Sequence, residues 1–146
     1  MRDRVGFTLL ELIMVVVIIG ILASIAGPMY FKTVERARIS EARRMLGMVR
    51  MAQMRYYAEH GQFTNNINEL DIDTANGKYF NLIIDVTTAG SAKPGDSKNT
   101  IGKVQRKDNV QNPYRKAYTL EIRPNGDVCH SGDWPDELGG VIPDCK

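Results

Sequence analysis

The stretch FTLLELIMVVVIIGILASIAG, residues 7–27, decides the fold of this 146-residue chain. Its single charged side chain is Glu11, and no charge interrupts it from Leu12 to Gly27. As a helix it would rise roughly 30 Å, the thickness of a bilayer core. A helix that is apolar on every side belongs in lipid or deep inside a large protein core. The remainder of the chain is too short and polar to surround it, so the stretch predicts a membrane-spanning helix.

The carboxylate of Glu11 is the unusual feature of this span. An acidic side chain inside a transmembrane helix costs ~2.5–3.5 kcal/mol on insertion scales, and such groups are usually paired and functional. A removable secretory signal or a plain single-pass anchor would explain the apolar run, and Ala23, Ser24 and Ala26 could imitate a signal cleavage site. Neither interpretation explains the carboxylate. A cut after Gly6 would create a new amino terminus and so supply a cation as its partner.

The sequence GFTLLELI, residues 6–13, resembles the processing site of type IV pilins and of the pseudopilins of type II secretion systems. The resemblance covers the short basic leader, the cut site and the helix to residues 28–30, with weaker similarity through residues 57–70. It implies that a prepilin peptidase cleaves after Gly6 and N-methylates Phe7. It also implies that Glu11 neutralises the Phe7 amine of an adjacent subunit during assembly.

The same resemblance implies a location and a set of partners. The precursor would be a single-pass protein of the bacterial inner membrane, surrounded by lipid before assembly, with a cytoplasmic N-terminus. The assembled form would be an extracellular pilus filament or a periplasmic pseudopilus. The partners would be copies of the chain itself and minor pilins in a helical filament, together with the prepilin peptidase and an inner-membrane assembly platform. Arg2 and Arg4 favour this orientation, whereas the basic block after the span favours the opposite one.

The chain therefore divides into three predicted parts. Residues 1–6 are a leader peptide, residues 7–30 a transmembrane or filament-core helix, and residues 31–146 an exported head domain. Within the head we predict an amphipathic helix over 31–60, loops and a sheet over 61–128, and a cysteine loop over 129–145.

One long helix is predicted over residues 7–60. Pro28 should kink it because it removes a backbone donor, and Gly20 is a second weak point. Gly61 is the natural helix stop. Beyond Pro28 the apolar residues recur at spacings of three or four, which predicts one face packed on the rest of the head. That face carries Ile39, Ala42, Leu46, Val49 and Tyr56.

The rest of the head shows sequence patterns typical of strands and turns. Alternation predicts strands over 79–86 and from Tyr118 to Ile122, and a weak edge strand over 101–107. The turn Pro124-Asn125-Gly126 should return residues 127–130 antiparallel. We expect a short helical turn after Asn66 and an exposed loop over 87–100. The predicted fold class is α+β, with the long N-terminal helix on a small antiparallel sheet.

Two cysteines, Cys129 and Cys145, flank the turn-rich segment HSGDWPDELGGVIPD. They are either two free thiols or a bridge that closes a loop of about fifteen residues, worth ~3 kcal/mol. Export favours the bridge, since disulfides persist in oxidising compartments. The resemblance implies a disulfide-closed surface loop that contributes to subunit contacts or to binding, and this favours a pilin over a pseudopilin.

Charged residues offer further candidate sites without a strong pattern. Acidic side chains cluster near the cysteine loop, at Asp127, Asp133, Asp136, Glu137 and Asp144. Calcium accepts such ligands, but the spacing matches no calcium pattern, so we predict a solvated acidic loop and neither metal nor cofactor. Seven basic residues lie between Lys32 and Arg55, and Arg36, Arg43 and Arg50 repeat every seven positions. They could contact lipid head groups or neighbouring subunits, while nucleic-acid binding stays open because the patch is positive.

Three functions are compatible with these patterns. We predict a structural subunit of a type IV pilus, and the alternative is a pseudopilin of a type II secretion system. A membrane-anchored sensor or enzyme is less favoured. The two histidines, His60 and His130, lie in no ligand or catalytic motif, and the prediction is that the chain is not an enzyme.

Overall fold

The computed structural model describes residues 6–72, 77–86, 92–107 and 117–145, except for the side chain of Glu137. The helix α1 spans Leu9–His60, and the strands are β1 (Phe80–Ile83), β2 (Gly102–Arg106), β3 (Tyr118–Ile122) and β4 (Val128–Gly132). Short 3-10 helices occupy Ile67–Glu69 and Asp136–Leu138. The predicted α+β class, with a long N-terminal helix and an antiparallel sheet, is confirmed.

The chain forms two compact units, Met1–Glu35 and Arg36–Lys146. The described part of the first unit is the beginning of α1 and the three residues before it, and Pro28 lies inside the helix. The predicted kinks at Gly20 and Pro28 stay predictions. The second unit, which we call the head, contains the rest of α1 and the sheet.

The end of α1 matches the predicted stop. Gly61 has φ +72°, a backbone conformation that glycine adopts without strain, and its N–H donates to the carbonyl of Tyr57 at 2.8 Å. The ring of His60 stacks on Tyr56 with centroids 4.1 Å apart, and its Nδ1 lies 3.2 Å from the Tyr56 carbonyl. The helix therefore ends at the glycine that the sequence predicts as its stop.

A buried amide then attaches the next segment to the helix. Gln53 is fully buried; its Nε2 donates to the carbonyls of Thr64 and Ile101, and its Oε1 accepts the N–H of Thr64. All these groups are paired, so the buried amide specifies where the chain runs after the turn. The predicted turn at Asn66 is confirmed, because its side chain accepts the N–H of Asn68.

The carboxylate of Glu69 completes this region. It accepts a hydrogen bond from the Thr64 hydroxyl at 2.6 Å and one from the Asn66 amide at 3.1 Å. Hydrogen bonds from Thr64, then Tyr56, then Asn66 hold the pKa of Glu69 below its ordinary value. The carboxylate therefore stabilises the turn in its charged form.

The sheet has the strand order β1-β2-β3-β4, and each neighbouring pair is antiparallel. The strand predicted over 101–107 is confirmed as β2, but its predicted position at the edge is wrong, because β2 pairs with β1 on one side and with β3 on the other. Gly102 provides no side chain to mark an alternation, and the interior position comes from long-range pairing. The predicted strand 79–86 is shorter than expected, and the return of 127–130 as β4 is confirmed.

The core of the head lies between α1 and one face of this sheet. The predicted apolar face of the helix is buried at Ile39, Ala42, Leu46 and Val49, while Tyr56 is only partly buried. Ala92 and Thr100 are also buried, so the predicted loop 87–100 is not exposed throughout; residues 87–91 lie outside the described ones. The core cluster also contains Met45, Phe63, Phe80, Val86, Ile101, Val104, Tyr118, Leu120, Ile122, Leu138 and Ile142.

Candidate functional site

The first candidate site is the start of α1, where Thr8 and Glu11 form a reciprocal cap. The Glu11 Oε2 accepts the Thr8 N–H at 3.0 Å and the Thr8 hydroxyl at 2.8 Å. In return the Thr8 Oγ1 accepts the N–H of Glu11 at 3.3 Å. This is a capping box of the S/T-x-x-E type, which satisfies backbone donors that the first helical turn leaves open. Sequence reasoning missed it, although the spacing T-L-L-E was visible.

This cap gives Glu11 a local partner within its own chain. The carboxylate, predicted to pair with the Phe7 amine of another subunit, here binds the residue that would follow that amine. Phe7 and Gly6 precede the helix, and the Phe7 side chain is 84 % exposed. The processing and assembly roles of Gly6, Phe7 and Glu11 therefore stay predictions.

The second candidate site is the exposed apolar surface of α1 after Glu11. Within the described residues, α1 is the one helix long and apolar enough to cross a membrane, and none of its apolar window is buried in the chain. Large side chains such as Leu12, Ile18 and Ile25 are more than half exposed. An apolar surface of this extent marks contact with lipid or with other protein.

The third candidate site is the cysteine loop, and the predicted Cys129–Cys145 disulfide is confirmed with an Sγ–Sγ distance of 2.04 Å. The loop is not merely a surface feature. Leu138 and Ile142 are fully buried members of the core. The disulfide therefore closes a segment that contributes to the hydrophobic core of the head.

Aromatic packing and backbone pairing fix the same loop. Trp134 stacks on His130 with ring centroids 4.4 Å apart, meets the Tyr118 ring edge-on at 5.1 Å and donates its Nε1–H to the Gly139 carbonyl at 3.1 Å. The His130 backbone donates to the Pro143 carbonyl and accepts from the Cys145 N–H, which adds residues 143–145 beside β4. The loop is consequently a rigid element.

The heptad arginines have intramolecular roles that the sequence did not predict. Arg36 donates to the Leu138 carbonyl at 3.5 Å, and Arg43 donates to the Val141 carbonyl at 3.2 Å. Arg50 donates through Nε to the Pro124 carbonyl at 3.0 Å. Contacts with lipid or with neighbouring subunits are therefore not their whole role, because each arginine also anchors a returning segment to α1.

The acidic residues near the loop are the candidate calcium ligands, and the side chain of Glu137 lies outside the described part of the chain. In the part of the chain that the structure describes, no group of three or more His, Cys, Asp or Glu side chains could hold a metal ion. Asp127 accepts the side-chain amide of Asn125 at 2.6 Å, while Asp133, Asp136 and Asp144 are exposed.

Comparison with known protein families shows which family has this combination of elements. A family model described as "Type IV pilin-like G and H" matches residues 40–119, and a prokaryotic N-terminal methylation motif matches residues 1–27. The chain belongs to the type IV pilin-like family. The resemblance seen in residues 6–13 is thereby confirmed at the level of the family.

Individual relatives of this pilin-like chain are named as fimbrial or pilin proteins. The fimbrial protein EcpC of Eikenella corrodens is 42% identical over 59% of this chain and 56% of its own length. The type IV major pilin protein PilA of Myxococcus xanthus is 39% identical over 54% of this chain and 36% of its own. The type IV major pilin protein PilE1 of Neisseria gonorrhoeae is 34% identical over 67% of this chain and 58% of its own length. The chain thus spans about half the length of the curated relatives it matches.

Proposed function

We propose that this protein is a structural subunit of a type IV pilus and that its role is not catalytic. The observation that carries the proposal is the unburied apolar part of α1, whose one carboxylate, Glu11, lies within the residues that match the methylation motif. Such a surface must be covered by lipid or by other copies of the chain, or first by lipid and then by other copies. The fimbrial and pilin names of its relatives support the same role.

The proposed sequence of events begins in the inner membrane. A prepilin peptidase removes residues 1–6 and methylates the new amino terminus at Phe7. The apolar helices then leave lipid, with the assembly platform acting on them, and pack against those of other copies and minor pilins. Glu11 sets the register of this packing, because a carboxylate without a partner in an apolar environment is unfavourable. The head domains form the outer surface of the extracellular fibre.

The test of processing is mass spectrometry of the mature protein. We expect an N-terminus at Phe7 carrying one methyl group. Gly6→Val should leave the precursor uncut, because a branched side chain does not fit where the peptidase accepts glycine. An intact Met1 terminus in fibre-forming protein would contradict the proposal.

The test of assembly uses Glu11→Ala beside Glu11→Asp. The alanine variant should be cut normally yet yield few surface fibres, while the aspartate variant retains a carboxylate and should recover part of the yield. Abundant fibres from Glu11→Ala would remove this residue from the mechanism. A deletion strain then separates pilus from pseudopilus: we expect it to lose surface fibres while exoprotein secretion stays intact.

A further inference from the structure

A groove of about 660 Å³ lies in the head, between α1 and the turn that joins β3 to β4. We call it the basic groove. Its charged lining residues are Arg43, Arg44, Arg50 and Asp127, and its apolar lining includes Met48 and Met51.

The basic groove has surplus positive charge and open hydrogen-bond donors. Three arginines face one aspartate, and that aspartate already accepts the Asn125 amide. Arg43 and Arg50 each donate one N–H to a carbonyl of their own head, which leaves most of the five donors of each guanidinium available. Arg44 is exposed and makes no hydrogen bond or ion pair to another described residue. The groove therefore suits an anionic occupant.

The basic groove also has an apolar side, which favours an occupant that carries apolar groups as well as negative charge. Met48 is 36 % exposed and Met51 is 58 % exposed. Methionine side chains are unbranched and adapt to irregular apolar partners. The best-matched occupant carries carboxylates beside apolar side chains, as a protein loop does.

The chain presents such a loop in residues 133–136, which we call the acidic tip. Asp133 and Asp136 are exposed and lie on either side of Trp134 and Pro135. Within the described residues neither carboxylate has an ion-pair partner, and the Trp134 Nε1–H bond to Gly139 holds the tip in place. A rigid, unpaired acidic surface meets a basic groove at a low ordering cost.

The acidic tip and the basic groove lie at opposite ends of β4. This strand begins at Val128, which lines the groove, and ends at Gly132, just before the tip. Five residues of strand separate the two sites by about 14 Å. The tip of one copy therefore reaches the groove of a different copy, and such a head-to-tail contact extends into a helical array wherever its rotation does not close a ring.

We propose that the acidic tip of one copy of this chain docks in the basic groove of a second copy. This contact rests on the proposed pilus function and gives the heads a specific contact in addition to the packing of the apolar helices. Asp133 and Asp136 pair with Arg44 and with the available donors of Arg43 and Arg50. Met48 and Met51 contact the exposed part of the half-buried Trp134 side chain, because Pro135 is buried in its own head.

A charge exchange in the full-length chain tests the contact in producing cells. Arg44→Glu should lower the yield of sheared surface fibres by roughly tenfold or more, because it places like charges across the contact. Asp133→Arg combined with Asp136→Arg should have the same effect. Joining all three changes in one chain should restore most of the yield. Arg55→Glu is the matched control, since Arg55 lies on α1 but outside the basic groove.

A second measurement keeps the test independent of yield and folding. With Met51 replaced by the photocrosslinking residue p-benzoylphenylalanine, intact fibres should give a crosslink to the segment 130–144 of another copy. Fibres that assemble but crosslink only elsewhere, or not at all, would overturn the contact, and so would Arg44→Glu fibres at wild-type yield. Those outcomes leave the pilus function intact, whereas a wild-type chain that enters no fibre contradicts the pilus function itself.

Discussion

Gly102 of β2 lies directly beneath Val49 of α1: a Cβ built on this glycine would fall 2.5 Å from the Val49 Cγ1. The helix therefore approaches the centre of the sheet more closely than any residue with a side chain would permit. This explains both the glycine inside a strand and its position on an interior strand.

Replacing this glycine should destabilise the head. Gly102→Ala forces Val49 or the backbone to move, and overpacking of this kind costs ~1–3 kcal/mol. The measurement is thermal unfolding of the full-length chain in detergent micelles. Gly47→Ala is the matched control, because its Cβ would meet nothing within 4 Å and alanine favours the helix. Equal melting temperatures for Gly102→Ala and wild type would contradict the close approach.

Reduction of the Cys129–Cys145 disulfide should lower the stability of the head. Its cysteines are 16 positions apart, and a loop of that size contributes ~3 kcal/mol in the chain-entropy model. Melting curves with and without reductant measure the effect. The Cys129→Ser/Cys145→Ser variant should melt near the reduced wild type and should not respond to reductant. A wild-type curve that reductant leaves unchanged would show that the disulfide adds no stability.

The carboxylate of Glu69 should contribute a stability that is lost in acid. Its pKa is lowered in the folded chain by the hydrogen bonds from Thr64, Tyr56 and Asn66. The unfolded chain therefore takes up the proton at higher pH, and the contribution is complete above the ordinary pKa of glutamate. It disappears as the pH falls through the lower, folded pKa.

The corresponding experiment compares wild type with Glu69→Gln. The melting temperature of the variant should lie below that of wild type near neutral pH, and the two should converge as the solution is acidified below the ordinary glutamate pKa. Glu59→Gln, which removes an exposed carboxylate near the end of α1, controls for the change of net charge. A constant Glu69 difference across the whole pH range would argue against the linkage.

The Thr8–Glu11 cap should protect the first turn of α1. Thr8→Val preserves shape but removes the hydroxyl that donates to the Glu11 Oε2 and accepts the Glu11 N–H. Loss of such a cap costs ~1 kcal/mol, so the Glu11 amide should exchange its hydrogen roughly fivefold faster in micelles. Thr8→Ser retains a hydroxyl and should exchange like wild type. Unchanged exchange in Thr8→Val would mean that the cap does not order this turn.

Local patterns carried much of the fold. The three-and-four spacing from Ile39 to Val49, the glycine at 61 and the alternation from Tyr118 to Ile122 are short-range features whose physics is contained in a few neighbouring residues. The helix, its end, β3 and the turn into β4 were predictable for that reason. The motif at Gly6 to Glu11 likewise identified the family.

Features that depend on distant parts of the chain were not predictable in the same way. Leu138 and Ile142 lie in a segment rich in glycine, proline and acid, and only the returning chain buries them. The carbonyls that Arg36, Arg43 and Arg50 bind come from segments more than 70 residues away. Burial and pairing of this kind follow from tertiary placement, which overrides local propensity.

The strip of chain from Pro143 to Cys145 affects the tendency of the head to aggregate. It pairs with His130 on the outer side of β4, where an unpaired strand would offer a template for another chain. The Cys129–Cys145 disulfide holds this strip in place, so an oxidised head is protected there against edge-to-edge aggregation. For the pilus subunit proposed above, this protection means that copies crowded together before assembly do not pair with one another through β4.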